Sequence, residues 1–226
     1  MKPEHYLGLD NSRMINAGGN HWLLPDTCAA FQAMQTAASI DGIDIQLVSS
    51  YRSFERQCAI WNAKWQGDLA LRNEHNQILD PASLSDTEKM HAILLWSALP
   101  GASRHHWGTD IDVYDKTAVD HWEGEFELIS AEYCGDGPCA TLSVWLDTHA
   151  PQFNFFRPYE RYLGGIGAEP WHLSYRPIAD KIAYAFDKQA LSTLLRNSDL
   201  LGWQTIEAHF DEIYHRYVLN KGSPIL

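Results

Sequence analysis

The sequence predicts an α+β fold: helices first, then a small central antiparallel sheet with flanking helices, then a C-terminal helical extension. Three observations carry that expectation. Segments 26–41 and 203–219 repeat apolar residues at helical spacing. Residues 43–47 and 109–114 alternate apolar with polar residues, as half-buried strands do. Gly42, Pro100-Gly101 and Pro151 punctuate the segments between them.

Each element has its own local reason. Asp26 is placed to cap the first helix, Phe31, Met34 and Ala38 form its apolar stripe, and Gly42 stops it. Ile43, Ile45 and Leu47 then mark a strand. Ser53 is placed to cap a second helix running to about Trp65. Residues 66–84 are polar and poorly patterned and read as an insertion. Ser85 and Glu88 have capping-box spacing for a helix to about Leu99, ended by Pro100-Gly101. In the strand from Thr109 to Tyr114, Ile111 and Val113 face one way, and Asp110, Asp112 and Tyr114 the other. Residues 116–138 read as a long surface loop. Leu142, Trp145 and His149 share one face of a short helix ending near Pro151. Segments 154–157 and 171–175 are the remaining strands. Two helices, about 178–197 and 203–219, close the chain. Trp203, Ile206, Phe210, Ile213 and Tyr217 give the last one a packing stripe.

Composition narrows the function classes. A chain of 226 residues, 45% hydrophobic and 20% charged, holds one large domain or at most two small ones. With 17 basic against 29 acidic residues the net charge is −12. That leaves no basic face for sequence-independent nucleic-acid binding and no charge attraction to an anionic membrane. No apolar run approaches the roughly 18–20 residues of a transmembrane helix. The opening MKPEHYLGLD lacks a basic stretch followed by an apolar one. The chain as written is therefore expected to be cytoplasmic, or periplasmic or extracellular if a leader has been removed. Cys28, Cys58, Cys134 and Cys139 form no C-x-x-C pair. Cys134 and Cys139 flank a short loop that a disulfide would close; the alternative is four thiols.

The usual nucleophile motifs are missing. There is no S-x-x-K and no H-E-x-x-H, and Gly101-Ala102-Ser103-Arg104-His105 lacks the last glycine of a nucleophile elbow. Gly164-Gly165-Ile166-Gly167 leads into Glu-Pro-Trp rather than a helix, which argues against a phosphate loop. The dense run is Ser103 to Asp112. A histidine in a loop and an aspartate on the next strand can converge on one zinc ion, with Gly108 making the turn between them. His172 offers a third ligand, and Glu169 stands three residues before it. Three protein ligands leave a position for water, and a carboxylate beside that water can carry its proton.

These residues resemble the zinc D-alanyl-D-alanine carboxypeptidase and dipeptidase family of vancomycin-resistance type, which shares a fold group with lysostaphin-type peptidases and the hedgehog amino-terminal domain. The family pattern S-x-H-x-x-G-x-A-x-D is matched by Ser103, His105, Gly108 and Asp112, and E-x-W-H by Glu169, Trp171 and His172. A loop of the S-x-Y-R-S type is matched by Ser49 to Ser53 and followed by Gln57. The resemblance implies that His105, Asp112 and His172 hold zinc and that Glu169 is the general base and acid. It implies that Arg52 binds substrate or the oxyanion, and that Ser103, Gln57, Tyr51 and Trp171 line the substrate site. Trp107 is a further lining candidate, and Arg52 or Arg157 is the cation for a free terminal carboxylate. The chain divides accordingly into a zinc peptidase domain, 1–177, and a helical extension, 178–226, packed on it.

Two features, Asp110 and the tail, depart from the pattern, and His106 adds a rivalry within it. Asp110 stands where the family has a small residue, either supporting the site from the same strand face or competing with Asp112. His106 rivals His105 as ligand. The tail adds about 50 residues, whose stripe suits packing on the core or a homodimer contact. The implied activity is zinc-dependent removal of a terminal D-alanine from peptidoglycan stem peptides, D,D- or L,D-. The alternatives are a cross-link endopeptidase and a non-catalytic zinc or peptidoglycan-binding module. Glu169 argues against the last, since a structural zinc needs no base.

Overall fold

A computed structural model describes residues 2–222. Its strands are β1 (Ile15–Gly18), β2 (His21–Leu23), β3 (Ile45–Ser49), β4 (Leu71–Arg72), β5 (Ile78–Leu79), β6 (Asp110–Asp115), β7 (Phe155–Phe156) and β8 (His172–Tyr175). Four of them form an antiparallel sheet in the order β3-β6-β8-β7, and β1–β2 and β4–β5 are separate hairpins. The helices are α1 (Pro3–Tyr6), α2 (Pro25–Ile40), α3 (Phe54–Gln66), α4 (Asp86–Trp96), α5 (Lys116–Asp120), α6 (Ala140–His149), α7 (Arg176–Ala185), α8 (Lys188–Arg196), α9 (Trp203–Ala208) and α10 (Phe210–Ile213). This is the expected α+β architecture.

The alternation in β6 decides how the layers stack. Ile111 and Val113 are fully buried with Leu173 against Phe31, Met34 and Ala38 of α2 and Leu142 and Leu146 of α6. Asp110 and Asp112 emerge on the other face. A second apolar cluster lies beyond that face, built from Trp61 of α3, Met90, Ile93 and Leu94 of α4, and Leu191, Leu195, Ile206, Ile213 and Tyr217 of the tail. The cleft lies between the sheet and the α3–α4 layer, with Asp112 and His172 on one side and Ile60 and Trp96 on the other.

Several local expectations need correction. Asp26 does not cap α2. Pro25 occupies the first turn, Leu24 is the cap position, and Asp26 lies in the first turn, where its charge favours the positive end of the helix dipole. The capping box does form, with Ser85 and Glu88 satisfying each other's backbone amides, but α4 stops at Trp96 rather than Leu99. The 66–84 stretch contains the β4–β5 hairpin, anchored by fully buried Leu71. The supposed surface loop 116–138 contains α5 and a 3-10 turn, Ser130–Tyr133. The Tyr133 hydroxyl of that turn donates to the Val113 carbonyl at 2.7 Å. The 178–197 helix is two helices, because Asp187 caps α8 by accepting from the amides of Gln189 and Ala190. The last stripe ends in a π-helical turn, Tyr214–Val218, and packs on this chain's own α3 and α4. Cys134 and Cys139 are free thiols, the first exposed and the second buried. Residues 223–226 of the expected extension lie outside the described residues.

Candidate active site

Register brings the site together. Asp112 on the central strand is directly opposite His172 on β8 and beside Ser49 on β3, where an irregularity interrupts the β3–β6 pairing. His105 arrives from the 3-10 turn Arg104–Trp107. Gly108 then reverses the chain into β6 with φ +68°, and a Cβ there would meet the Met14 sulfur at 2.4 Å.

Backbone and carboxylate partners fix which nitrogen each imidazole presents. His105 Nδ1 is 2.9 Å from the Ser50 carbonyl, so Nε2 points inward, 3.2 Å from Asp112 Oδ2. His172 Nε2 is 2.9 Å from Asp110 Oδ1, so Nδ1 points inward, 3.0 Å from Asp112 Oδ1 and 3.4 Å from Glu169 Oε2. One ligand atom from each of His105, Asp112 and His172 lies within 4.8 Å of the others, and all three residues are buried. Asp112 Oδ1 is wholly buried and, despite its nearness to His172, has no aligned hydrogen-bond donor. Two inward nitrogens around an unsatisfied carboxylate oxygen suit zinc, which prefers this donor set.

Asp110 and His106 resolve the two rivalries. Asp110 is fully buried behind His172 and receives Arg104 Nε at 2.7 Å, Thr109 Oγ1 at 2.6 Å and Ser174 Oγ at 3.0 Å. Burial would raise its pKa, but the Arg104 guanidinium and His172 hold it at about 2. It fixes the His172 ring through Nε2, the arrangement by which carboxylates orient histidines in zinc sites. His106 is engaged in the scaffold: Nε2 accepts from the Gly101 amide at 3.0 Å, and Nδ1 donates to the Arg52 carbonyl at 2.6 Å.

Opposing environments split the remaining charges. Burial works against the Asp112 carboxylate, yet His105 and His172 hold it well below the usual range. Burial alone would lower the His172 pKa, but its bond to Asp110 and the nearby charge of Asp112 push it up to about 10. A divalent cation among these atoms takes the place of that proton, so uptake is coupled to proton release. Burial pushes Glu169 up to about 8 against the pull of His172. A carboxyl titrating near neutral pH suits proton transfer.

The other expected residues divide. Arg52, Ser103 and Trp171 line the cleft, which has a volume of about 320 Å³. The Arg52 guanidinium donates to Gln57 Oε1 and to Ser49 Oγ, both at 2.9 Å. Gln57 is a correction. It is fully buried, its amide nitrogen is bonded to the Ala98 carbonyl at 2.7 Å, and it positions Arg52 from behind rather than meeting substrate. Tyr51 sends its hydroxyl to the Gly8 carbonyl at 3.2 Å and is not part of the cleft lining. Trp107 belongs to the core, with Arg104 stacked 4.4 Å over its ring. Arg157 is tied to Asp147 and to the Pro170 and Ser143 carbonyls, outside the cleft.

Sequence reasoning missed Tyr159, whose ring packs edge-on to His172 at 5.0 Å and whose carbonyl receives the Glu169 amide at 2.9 Å. No local motif marks it. It also left Gly164-Gly165-Ile166-Gly167 without a role. Cleft-lining Ile166 and nearby Glu169 belong to a loop clasped by the tail. Arg216 donates to the Gly164 carbonyl, and Asn220 Oδ1 accepts from the Ile166 amide at 3.3 Å. A Cβ on Gly165 would meet the Arg216 carbonyl at 2.2 Å, and one on Gly167 the Trp96 ring at 2.4 Å.

Comparison with known proteins adds a family and a fold. Residues 20–178 match the family described as VanY, D-alanyl-D-alanine carboxypeptidase. Two uncharacterised proteins of Haemophilus influenzae are similar. One is 30% identical over 54% of this chain and 93% of its own, the other 38% identical over 44% and 70%. A vancomycin-resistance D,D-pentapeptidase VanY in complex with Zn(II) is 24% identical, covers 75% of this chain and 82% of its own, and has a TM-score of 0.53. VanYB in complex with D-alanine-D-alanine is 22% identical over 76% and 82%, with a TM-score of 0.52. The LdcB LD-carboxypeptidase is 20% identical over 76% and 72%, with a TM-score of 0.53. At these identities the structural likenesses show the fold.

Proposed function

The chain belongs to the VanY family of D-alanyl-D-alanine carboxypeptidases, and from that premise we propose that it is a zinc metallopeptidase that removes a terminal D-alanine from peptidoglycan stem peptides. The observation that carries the reading is the pairing of a buried His105–Asp112–His172 cluster with the buried Glu169 carboxylate, 3.4 Å from His172 Nδ1.

His105, Asp112 and His172 would hold zinc, which would supply Lewis acidity toward a water and toward a peptide carbonyl. Glu169 takes the proton of the attacking water and delivers it to the departing D-alanine amine. Arg52, fixed by Gln57 and Ser49, holds the developing oxyanion or the free terminal carboxylate. Tyr159 and Trp171 help exclude water around His172. Arg52, Arg72 and Arg104 line the cleft beside Asp112, Glu127 and Glu169, so cationic partners for a peptide carboxylate are at hand despite the overall −12. The peptide as substrate is supported by the family.

The test is mass spectrometry of a stem pentapeptide ending in D-Ala-D-Ala and of the matching tetrapeptide, with protein that is native, chelated or zinc-restored. Loss of one alanine, abolished by chelation and restored by zinc, is expected, and the peptide cut assigns D,D- or L,D-specificity. No cleavage of either peptide by zinc-loaded protein would overturn the carboxypeptidase reading in favour of a cross-link endopeptidase or a binding module.

A further inference from the structure

Two segments outside the three family motifs also line the cleft: the β4–β5 hairpin, through Arg72 and Asn76, and residues Glu127, Leu128 and Ile129. Arg72 donates to Glu127 Oε1 at 2.7 Å and to the Asn76 carbonyl at 2.9 Å, so the hairpin's own turn pre-sets the guanidinium. The opposing segment is held from behind. Glu132 is buried, and its two carboxylate oxygens accept from the amides of Glu127 at 2.7 Å and Ile129 at 2.8 Å. Between those amides Leu128 has φ +59°, a conformation that costs a bulky residue on the order of 1–3 kcal/mol.

A buried acid and a strained leucine are a costly way to build an ordinary surface loop. They fit a wall that must present Glu127 in one place. The ion pair itself stays open to solvent, with side chains 25% and 42% exposed. A pair so exposed contributes little stability, so stability does not explain its place in the cleft.

We propose that Arg72 and Glu127 form a subsite for a zwitterionic amino-acid head, a single carbon bearing both an ammonium and a carboxylate, on a stem-peptide side chain near the scissile bond. This rests on the carboxypeptidase reading. Such a head exchanges the internal Arg72–Glu127 pair for two new ones, guanidinium to carboxylate and carboxylate to ammonium, with no net change of charge. A side chain ending in an ammonium alone satisfies Glu127 and leaves Arg72 facing a like charge. The stem residue that carries these alternatives is the third, which is one or two residues before the cut in either specificity. At about 3.3–3.6 Å per extended residue, it stays within the same cleft. The substrate class is therefore the stem peptide with meso-diaminopimelate at the third position, rather than lysine.

The experiment uses the full zinc-loaded chain and two pentapeptides that differ only in that third residue. The diaminopimelate peptide is expected to have a kcat/KM about tenfold or more higher, the order given by one charge-assisted contact. The ratio should fall toward one in Arg72→Ala and Glu127→Ala, chiefly through KM, and recover in part in Arg72→Lys. Zinc content and thermal midpoint check that the variants fold. Equal kcat/KM values in the wild type, or a preference that survives both alanine variants, would overturn the proposal. Binding of the two peptides to zinc-loaded Glu169→Gln gives an independent measure. If neither the pentapeptides nor the matching tetrapeptides are cut, the carboxypeptidase reading fails, and the affinity ratio still decides the subsite: tenfold tighter binding of the diaminopimelate peptide sustains it, and equal binding removes it.

Discussion

Asp110 and the Ser50 carbonyl decide which nitrogen each imidazole offers to the metal, and His172 depends wholly on the first. Replacing Asp110 with Asn keeps the shape and removes the charge. Zinc should still bind, since Asp112 is the inward carboxylate, but with affinity lowered about 10–100-fold, as titration against a competing chelator would measure. His105→Ala and His172→Ala should instead lose both zinc and activity, because each removes one of three ligands. His106 makes a different prediction. Burial pushes its pKa down to about 3, and its two bonds require the neutral ring. The unfolded chain takes up that proton near pH 6.5 and the folded chain does not. The His106 contribution is therefore whole above about pH 6.5 and is lost as pH falls toward 3, by up to about 1.4 kcal/mol per pH unit. Urea midpoints should drop between pH 6.5 and 5, and His106→Asn should start lower but show a shallower slope.

At the scale of elements, the glycine-rich loop before Glu169 has no room for a side chain against the tail. Gly165→Ala places a methyl 2.2 Å from the Arg216 carbonyl, a backbone atom that cannot swing aside. The expected loss of stability is about 1–3 kcal/mol, measured by denaturant unfolding, together with reduced turnover because Ile166 and Glu169 sit on that loop. The loop illustrates what the sequence leaves illegible. Its glycines are visible, but their reason lies in a helix about fifty residues further on. The proposed metal cluster is legible through short motifs: His105 and Asp112 flank one glycine turn, and Glu169, the proposed base, stands three residues before His172. Arg52 is legible for the same reason. Gln57 carries the same motif signal, yet faces away from the cleft, because motif proximity marks a residue's neighbourhood and not which side of Arg52 it occupies. Tyr159, Arg72 and Glu127 reach the cleft through long-range packing that no short window shows.

For the whole molecule, the tail and the cleft scaffold share one hydrophobic cluster. Ile182, Leu191, Leu195, Ile206, Ile213 and Tyr217 pack with Trp61, Met90, Ile93 and Leu94, and α3 and α4 form one side of the cleft. The boundary expected near residue 177 therefore falls inside a core. A chain ending there should fail to give a cooperative unfolding transition, whereas the 226-residue chain should show one by calorimetry. The helices and sheet bring the buried Glu169 carboxyl beside the His105–Asp112–His172 cluster. The most direct measurement is D-alanine release from the stem pentapeptide by wild type and by Glu169→Gln at equal zinc content. Turnover should fall about 10²–10⁴-fold while bound zinc stays equimolar. A variant that turns over like the wild type, or that loses its zinc, would contradict the assignment of Glu169 as the proton carrier beside an independent metal site.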